Sequence, residues 1–207
     1  LALYQALHGS LADPEDQLLL DETALIDLLT FYEMASSRNV MPFWLTQYDS
    51  DALAFQALRE GNAELAITWY STLAHAELEG TAFAPLATPH GDAFTYTNGY
   101  VWAFSSTDAL RYALSVELAE WLSEGAFLAE WLRANNTLPT RPSSITAWGL
   151  AAEQDTVETI LANAALLPDE LTRTTLGTPL HEAVISVLKL EQTPGAAAQE
   201  VLDALSP

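Results

Sequence analysis

The chain has 207 residues, half of them hydrophobic, and carries 28 acidic side chains against 7 basic ones for a net charge of −21. That length and apolar content suffice for one or two buried cores and argue against disorder. The charge repels a phosphate backbone and an anionic bilayer, so nucleic acid is not an expected partner. The absence of cysteine excludes disulfides, iron–sulfur clusters, thiolate zinc sites and cysteine nucleophiles.

No apolar run approaches the roughly 20 residues needed to cross a bilayer. No basic segment precedes an apolar stretch as in a secretory signal. The chain starts at Leu1 rather than methionine, which reads as a processed product or one part of a larger protein.

In chain order, residues 1–8 read as a helix end, and Gly9 and Pro14 frame an acidic turn before a short extended segment at 18–20. Asp21 is an N-cap. Leu25, Ile26, Leu28, Leu29, Tyr32 and Met34 then form a helical apolar stripe that ends before Pro42. Asp49 or Ser50 caps a further helix closed by Gly61. Strands are predicted over 64–70, 81–86 and 95–104, with a short helix at 74–78 and a turn at Pro89-His90-Gly91-Asp92. Ser106 or Thr107 caps a helix to Leu122 lined by Leu110, Ala113, Leu114, Leu118 and Trp121. A helix over 127–134, a proline-containing loop over 135–143 and an apolar segment at 145–150 follow. Helices are predicted at 157–166, 180–190 and 196–205, with 168–179 irregular and Pro194 in the first turn of the last helix.

The polar and aromatic residues gather in two segments, Ala66-Ile67-Thr68-Trp69-Tyr70-Ser71-Thr72 and Thr95-Tyr96-Thr97-Asn98-Gly99-Tyr100-Val101-Trp102-Ala103-Phe104. A flat ring beside hydroxyls and an amide suits a neutral, hydroxyl-rich ligand. Trp69 and Tyr70 are adjacent on an extended chain and face opposite sides, whereas Tyr100 and Trp102 share a face. Asn98 before Gly99 equally suits a turn. Arg141 is a ligand-binding guanidinium or an ion-pair partner in its loop. Trp148 covers a cleft or plugs a core. Trp121 and Trp131 follow helical spacing and read as packing residues, and Trp44 and Tyr48 lie in an irregular stretch.

His8, His75, His90 and His181 are scattered without metal-ligand spacing, and no calcium-loop pattern occurs. No metal, cofactor or catalytic residue is expected. A glycosidase needs two carboxylates across a cleft, and the many acids single out no such pair.

Four patterns carry a resemblance: 25–32 preceding Asn39-Val40-Met41-Pro42; 55–69; Asn98 to Ser106 leading to Trp121-Leu122-Ser123; and Asn136-Thr137-Leu138-Pro139-Thr140-Arg141. In order and spacing the chain resembles the later part of a family 1 extracellular solute-binding protein of ABC importers. The resemblance implies an α/β fold of the type II periplasmic-binding-protein kind, truncated, helix-rich and with a small sheet. It implies second-lobe material at 1–78, returning first-lobe and hinge material at 79–142, and second-lobe helices at 143–207, able to pack as one domain. It further implies a noncatalytic receptor for a neutral solute, a sugar above all, held by Trp69, Asn98, Tyr100, Trp102, Arg141 and Trp148. Its partner is a membrane permease and its location extracytoplasmic, with a lipid anchor as one route. Thr178-Pro179-Leu180 departs from the family by lacking the expected aromatic residue. The alternatives are a degenerate receptor lobe that acts as an interaction module, with homodimerisation covering its exposed apolar surface, and a carbohydrate-active hydrolase.

Overall fold

The computed structural model describes residues 1–12, 18–74, 76, 80–86, 92–105, 108–149 and 154–205. Among them the order is α1 (Ala2–Ala6), α2 (Glu22–Ser37), a 3-10 turn (Phe43–Gln47), α3 (Asp51–Arg59), α4 (Tyr70–Ala74) and β1 (Thr95–Thr97). Then come α5 (Ala109–Leu122), α6 (Gly125–Ala134), α7 (Pro142–Trp148), α8 (Gln154–Ala162), β2 (Ala164–Leu166), α9 (Glu170–Leu188) and α10 (Pro194–Leu205). β1 and β2 pair as a two-stranded sheet. The chain packs as two compact units: residues 1–49, 86–96 and 165–207 form the first, residues 50–85 and 97–164 the second.

The first unit is built on α2, α9 and α10. Asp21 starts α2 by accepting a 2.7 Å bond from the Ala24 amide, and Leu25, Leu28 and Leu29 then face inward at helical spacing. α9 answers with Leu176, Leu180, Ala183 and Val187, and α10 with the small face Ala197, Ala198 and Val201. Each fully buried leucine contributes about 1.5–3 kcal/mol. The Ser36 hydroxyl ties α2 to α9 by donating to the Leu188 carbonyl at 2.5 Å. Tyr4 is fully buried in the same core. Its hydroxyl donates to the Ser10 carbonyl at 2.7 Å and accepts from the Asp21 amide at 2.6 Å, so one side chain fixes α1, the following turn and the start of α2.

The second unit draws its buried residues from short helices: Phe55 and Ala57 of α3, Leu128 and Ala129 of α6, Ile145 and Trp148 of α7, and Val157 of α8. α3 begins with Ser50 accepting from the Leu53 amide at 3.3 Å and ends before Gly61, whose φ of +73° suits glycine. Arg133 of α6 donates to the Trp148 carbonyl. Gly125 lies so close to α7 that a Cβ there would stand 2.9 Å from the Ser143 hydroxyl oxygen.

Several expectations are corrected. Among the described residues the fold is helical with two three-residue strands, not the α/β architecture of a type II periplasmic-binding protein, and the resemblance to that family is overturned. Of the three predicted strands, residues 64–69 form no ladder, because no described segment pairs its backbone with them. Tyr70 opens α4 instead of closing a strand. The 81–86 strand reduces to a bridge between Leu86 and Phe94, and the 95–104 strand stops at Thr97.

In the helical half, Pro142 at the first turn and Gly149 at φ +81° delimit α7 where an apolar loop segment was expected. The predicted 157–166 helix ends at Ala162, and its last residues pair with β1. The irregular 168–179 segment is helical. Asp169 caps α9 by accepting from the Thr172 amide at 2.9 Å, and the helix runs through Pro179. An interior proline costs about 3 kcal/mol, and burial of Leu176, Leu180 and Val187 around it offsets that cost. The caps expected at Ser106 or Thr107 lie outside the described residues; the observed cap is Asp108, accepting from the Arg111 amide at 2.9 Å.

Candidate functional site

The six residues predicted to hold a ligand all fall in the second unit. Its α3 and α4 determine how the first aromatic segment is presented. Asp51, in the first turn of α3, accepts from the Thr72 hydroxyl at 3.0 Å and the Thr68 hydroxyl at 3.5 Å. The Tyr70 ring stands edge-on to Phe83 at 5.2 Å and to Trp148 at 6.2 Å between centroids. These contacts hold Ala66, Thr68 and Tyr70 half-buried while Leu65, Ile67 and Trp69 are exposed. The alternation is the period of an extended chain, with its polarity reversed: the outward set is the larger and more apolar one.

The second aromatic segment is more open. Tyr100 is 96 % exposed, and Val101, Trp102 and Phe104 are exposed with it. Asn98 accepts from the Gly99 amide at 2.9 Å through its own side chain, the geometry of a local turn. Phe104 leans on Tyr112 of α5 with centroids 5.6 Å apart, which makes the segment continuous with that helix. Along α5, Leu110, Leu114, Leu118 and Trp121 are each at least half exposed. No residue of this 14-residue helix is buried. Only Ser115, Val116, Ala119 and Leu122 on its other side are half-buried. The stripe expected to pack is the one facing out. Trp121 touches the Phe127 ring at 4.7 Å, and Trp131 is also exposed, so neither is a core residue.

A shallow depression of about 530 Å³ runs along α5, lined by Ser105, Arg111, Leu114, Ser115 and Leu118. Its lining holds no carboxylate and no histidine. Arg141 lies apart from it and donates to the Ser123 carbonyl at 3.1 Å. Trp148 is 6 % exposed and serves the core. The six residues predicted to hold a ligand are thus dispersed: Trp148 inside, Trp69, Tyr100 and Trp102 on the outside, Asn98 in a turn and Arg141 on a carbonyl. Trp44 and Tyr48 pair with each other at 6.2 Å in the first unit.

Among the described residues, no group of three His, Asp or Glu side chains is placed to hold a metal ion. The resolved perturbations of titratable side chains lie in the first unit. Burial pushes Tyr4 and Tyr96 up to about 12 and raises Tyr32, and hydrogen bonds from Thr172 hold the Asp169 carboxyl below its usual range. Among the described residues of the second unit, the Ser144 hydroxyl is buried without a hydrogen-bond partner.

No family model, curated protein or solved structure matches the chain. The sugar-receptor function and the assignment to an ABC importer are therefore corrected along with the fold that implied them. Sequence reasoning identified the aromatic segments but missed α5 as a surface, because a helix facing a core and a helix facing a partner carry the same apolar periodicity.

Proposed function

We propose that the chain is a noncatalytic interaction module that docks another polypeptide on the apolar surface of its second unit. The observation that carries this is α5, a helix with no buried residue and with Leu110, Leu114, Leu118 and Trp121 at i, i+4, i+8 and i+11 on one exposed face. Phe104 and Tyr112, with their rings 5.6 Å apart, add further exposed apolar surface on the other side of the helix. Apolar patches of this continuity on a protein surface mark sites of association, and aromatic residues with leucines around them are what a docking face uses. The net charge of −21 favours a neutral or cationic partner over a second copy, which would double the negative charge.

The test is a photo-crosslinking residue at position 114 in the native host. The expected result is one discrete adduct with a different protein, lost when Leu118→Lys places a charge on the face. Absence of an adduct, or adducts of the chain with itself only, would sink the reading.

A further inference from the structure

We infer that residues 64–69 are an open strand edge that accepts an extended, cationic segment of a partner polypeptide by backbone pairing. The inference rests on the reading above that the partner is a polypeptide, but it comes from a different part of the second unit. Three observations converge on it.

First, residues 65–69 belong to no helix, turn or ladder, and none of the backbone amides or carbonyls of 64–68 makes a hydrogen bond to a described residue. Immediately before them Asn62 and Ala63 both donate to the Ala57 carbonyl, and after them Thr72 and Leu73 donate to the Trp69 carbonyl. The row is therefore fixed at both ends and open in the middle. An unpaired row of donors and acceptors is a template for another strand. A helix, whose backbone is already satisfied, would leave that row to water.

Second, the side chains are already set in strand register. Thr68 on Asp51 and Tyr70 on Phe83 and Trp148 hold one face inward. Leu65, Ile67 and Trp69 then project together at period two. A partner strand would lay its alternate apolar side chains beside these three and cover them, which is how strand addition gains both affinity and register.

Third, the sequence flanking the edge is net acidic. Residues 50–70 carry Asp51, Glu60 and Glu64 against Arg59 alone, on a chain of net charge −21. The complementary strand alternates apolar with cationic residues. A second copy of this chain would bring the same acids to the same edge.

The probe is a capped heptapeptide of alternating lysine and valine, compared with the same peptide N-methylated on every residue. Amide hydrogen exchange is read at 65–69. The unmodified peptide should slow exchange there about tenfold, the equivalent of one backbone hydrogen bond near the top of its net value. The N-methylated peptide, which lacks every backbone donor and turns a methyl group toward either edge, should not. Ile67→Asp should abolish the protection, while Leu171→Asp, an exposed change in the first unit, should leave it intact.

Equal protection by both peptides would show side-chain adhesion and overturn strand pairing, as would no protection by either. Protection that rises with protein concentration in the absence of peptide, together with a dimer mass, would assign the edge to a second copy and overturn the cationic partner. The peptide arms use the unaltered protein, so they decide the matter even if a variant folds poorly. An adduct at position 114 without protection at 65–69 would leave the docking face standing and remove this edge from it.

Discussion

The two units spend their apolar residues differently. In the first, leucines of α2 and α9 meet across a closed core, and a tyrosine hydroxyl, a serine hydroxyl and two aspartate caps meet the backbone groups nearby. In the second, short helices enclose a small core while Leu65, Ile67, Trp69, Tyr100, Trp102 and the outward stripe of α5 remain in water. Both regions are equally apolar to the eye reading the sequence. The difference teaches that hydrophobic content measures what a segment can bury and not what it does bury. Where a long apolar stripe finds no partner within its own unit, association is the physical use left for it.

The largest expected contrast is between two leucines. Leu29→Ala removes a side chain of zero exposure and should cost about 2–5 kcal/mol. Leu114→Ala, on the open face of α5, should change stability by less than about 0.5 kcal/mol. Chemical denaturation of both variants measures the gap, and equal losses would erase the distinction between the units.

Two glycines sharpen the same comparison. A Cβ at Gly9 would lie 2.3 Å from the Tyr4 ring, whereas one at Gly99 meets nothing within 4 Å. Gly9→Ala should therefore destabilise by about 1–3 kcal/mol through overpacking. Gly99→Ala should leave the melting temperature within experimental error.

The tyrosines of the first unit give it an alkaline limit. Tyr4 is raised to about 12 chiefly by burial, with the Asp21 charge adding to the rise and the bond from the Asp21 amide opposing it. Tyr96, whose hydroxyl donates to Gln5, is raised to about 12 by burial. The folded state thus holds phenolic protons that the unfolded chain, near the ordinary value of 10.0, releases first. Stability is whole below about pH 10 and falls as pH rises toward about 12. Tyr4→Phe should flatten that fall. It should also cost about 1–3 kcal/mol at neutral pH, because the Asp21 amide loses its acceptor. Urea unfolding from pH 8 to 12, roughly the span in which phenols titrate, reads both effects. An unchanged slope in the variant would show that Tyr4 does not carry the dependence.

The smallest effect has the opposite sign. Ser144 is fully buried with an unpartnered hydroxyl, so Ser144→Ala should stabilise the second unit by about 1 kcal/mol. A loss in thermal denaturation would mean that the hydroxyl has a partner in solution.

Local chemistry was legible wherever one residue decides it. Asp21 and Ser50 cap the helices they were expected to cap, Gly61 ends α3 at positive φ, and the stripe Leu25, Leu28 and Leu29 faces the core its period demanded. Trp69 is exposed and Tyr70 half-buried, but Tyr70 opens α4 and so does not owe this to the strand geometry that was expected. Tertiary structure alone decided the rest. An extended segment becomes a strand only when another backbone lies about 5 Å away, and among the described residues 64–69 and 98–104 pair with none, which turned an expected α/β sheet into a helical fold. Pro179 stays inside α9 because the buried residues on either side outweigh a local preference. The period of Leu110, Leu114 and Leu118 fixes which face of α5 is apolar, but not whether that face meets a core or solvent. Periodicity is a property of one helix, and burial depends on what is packed against it.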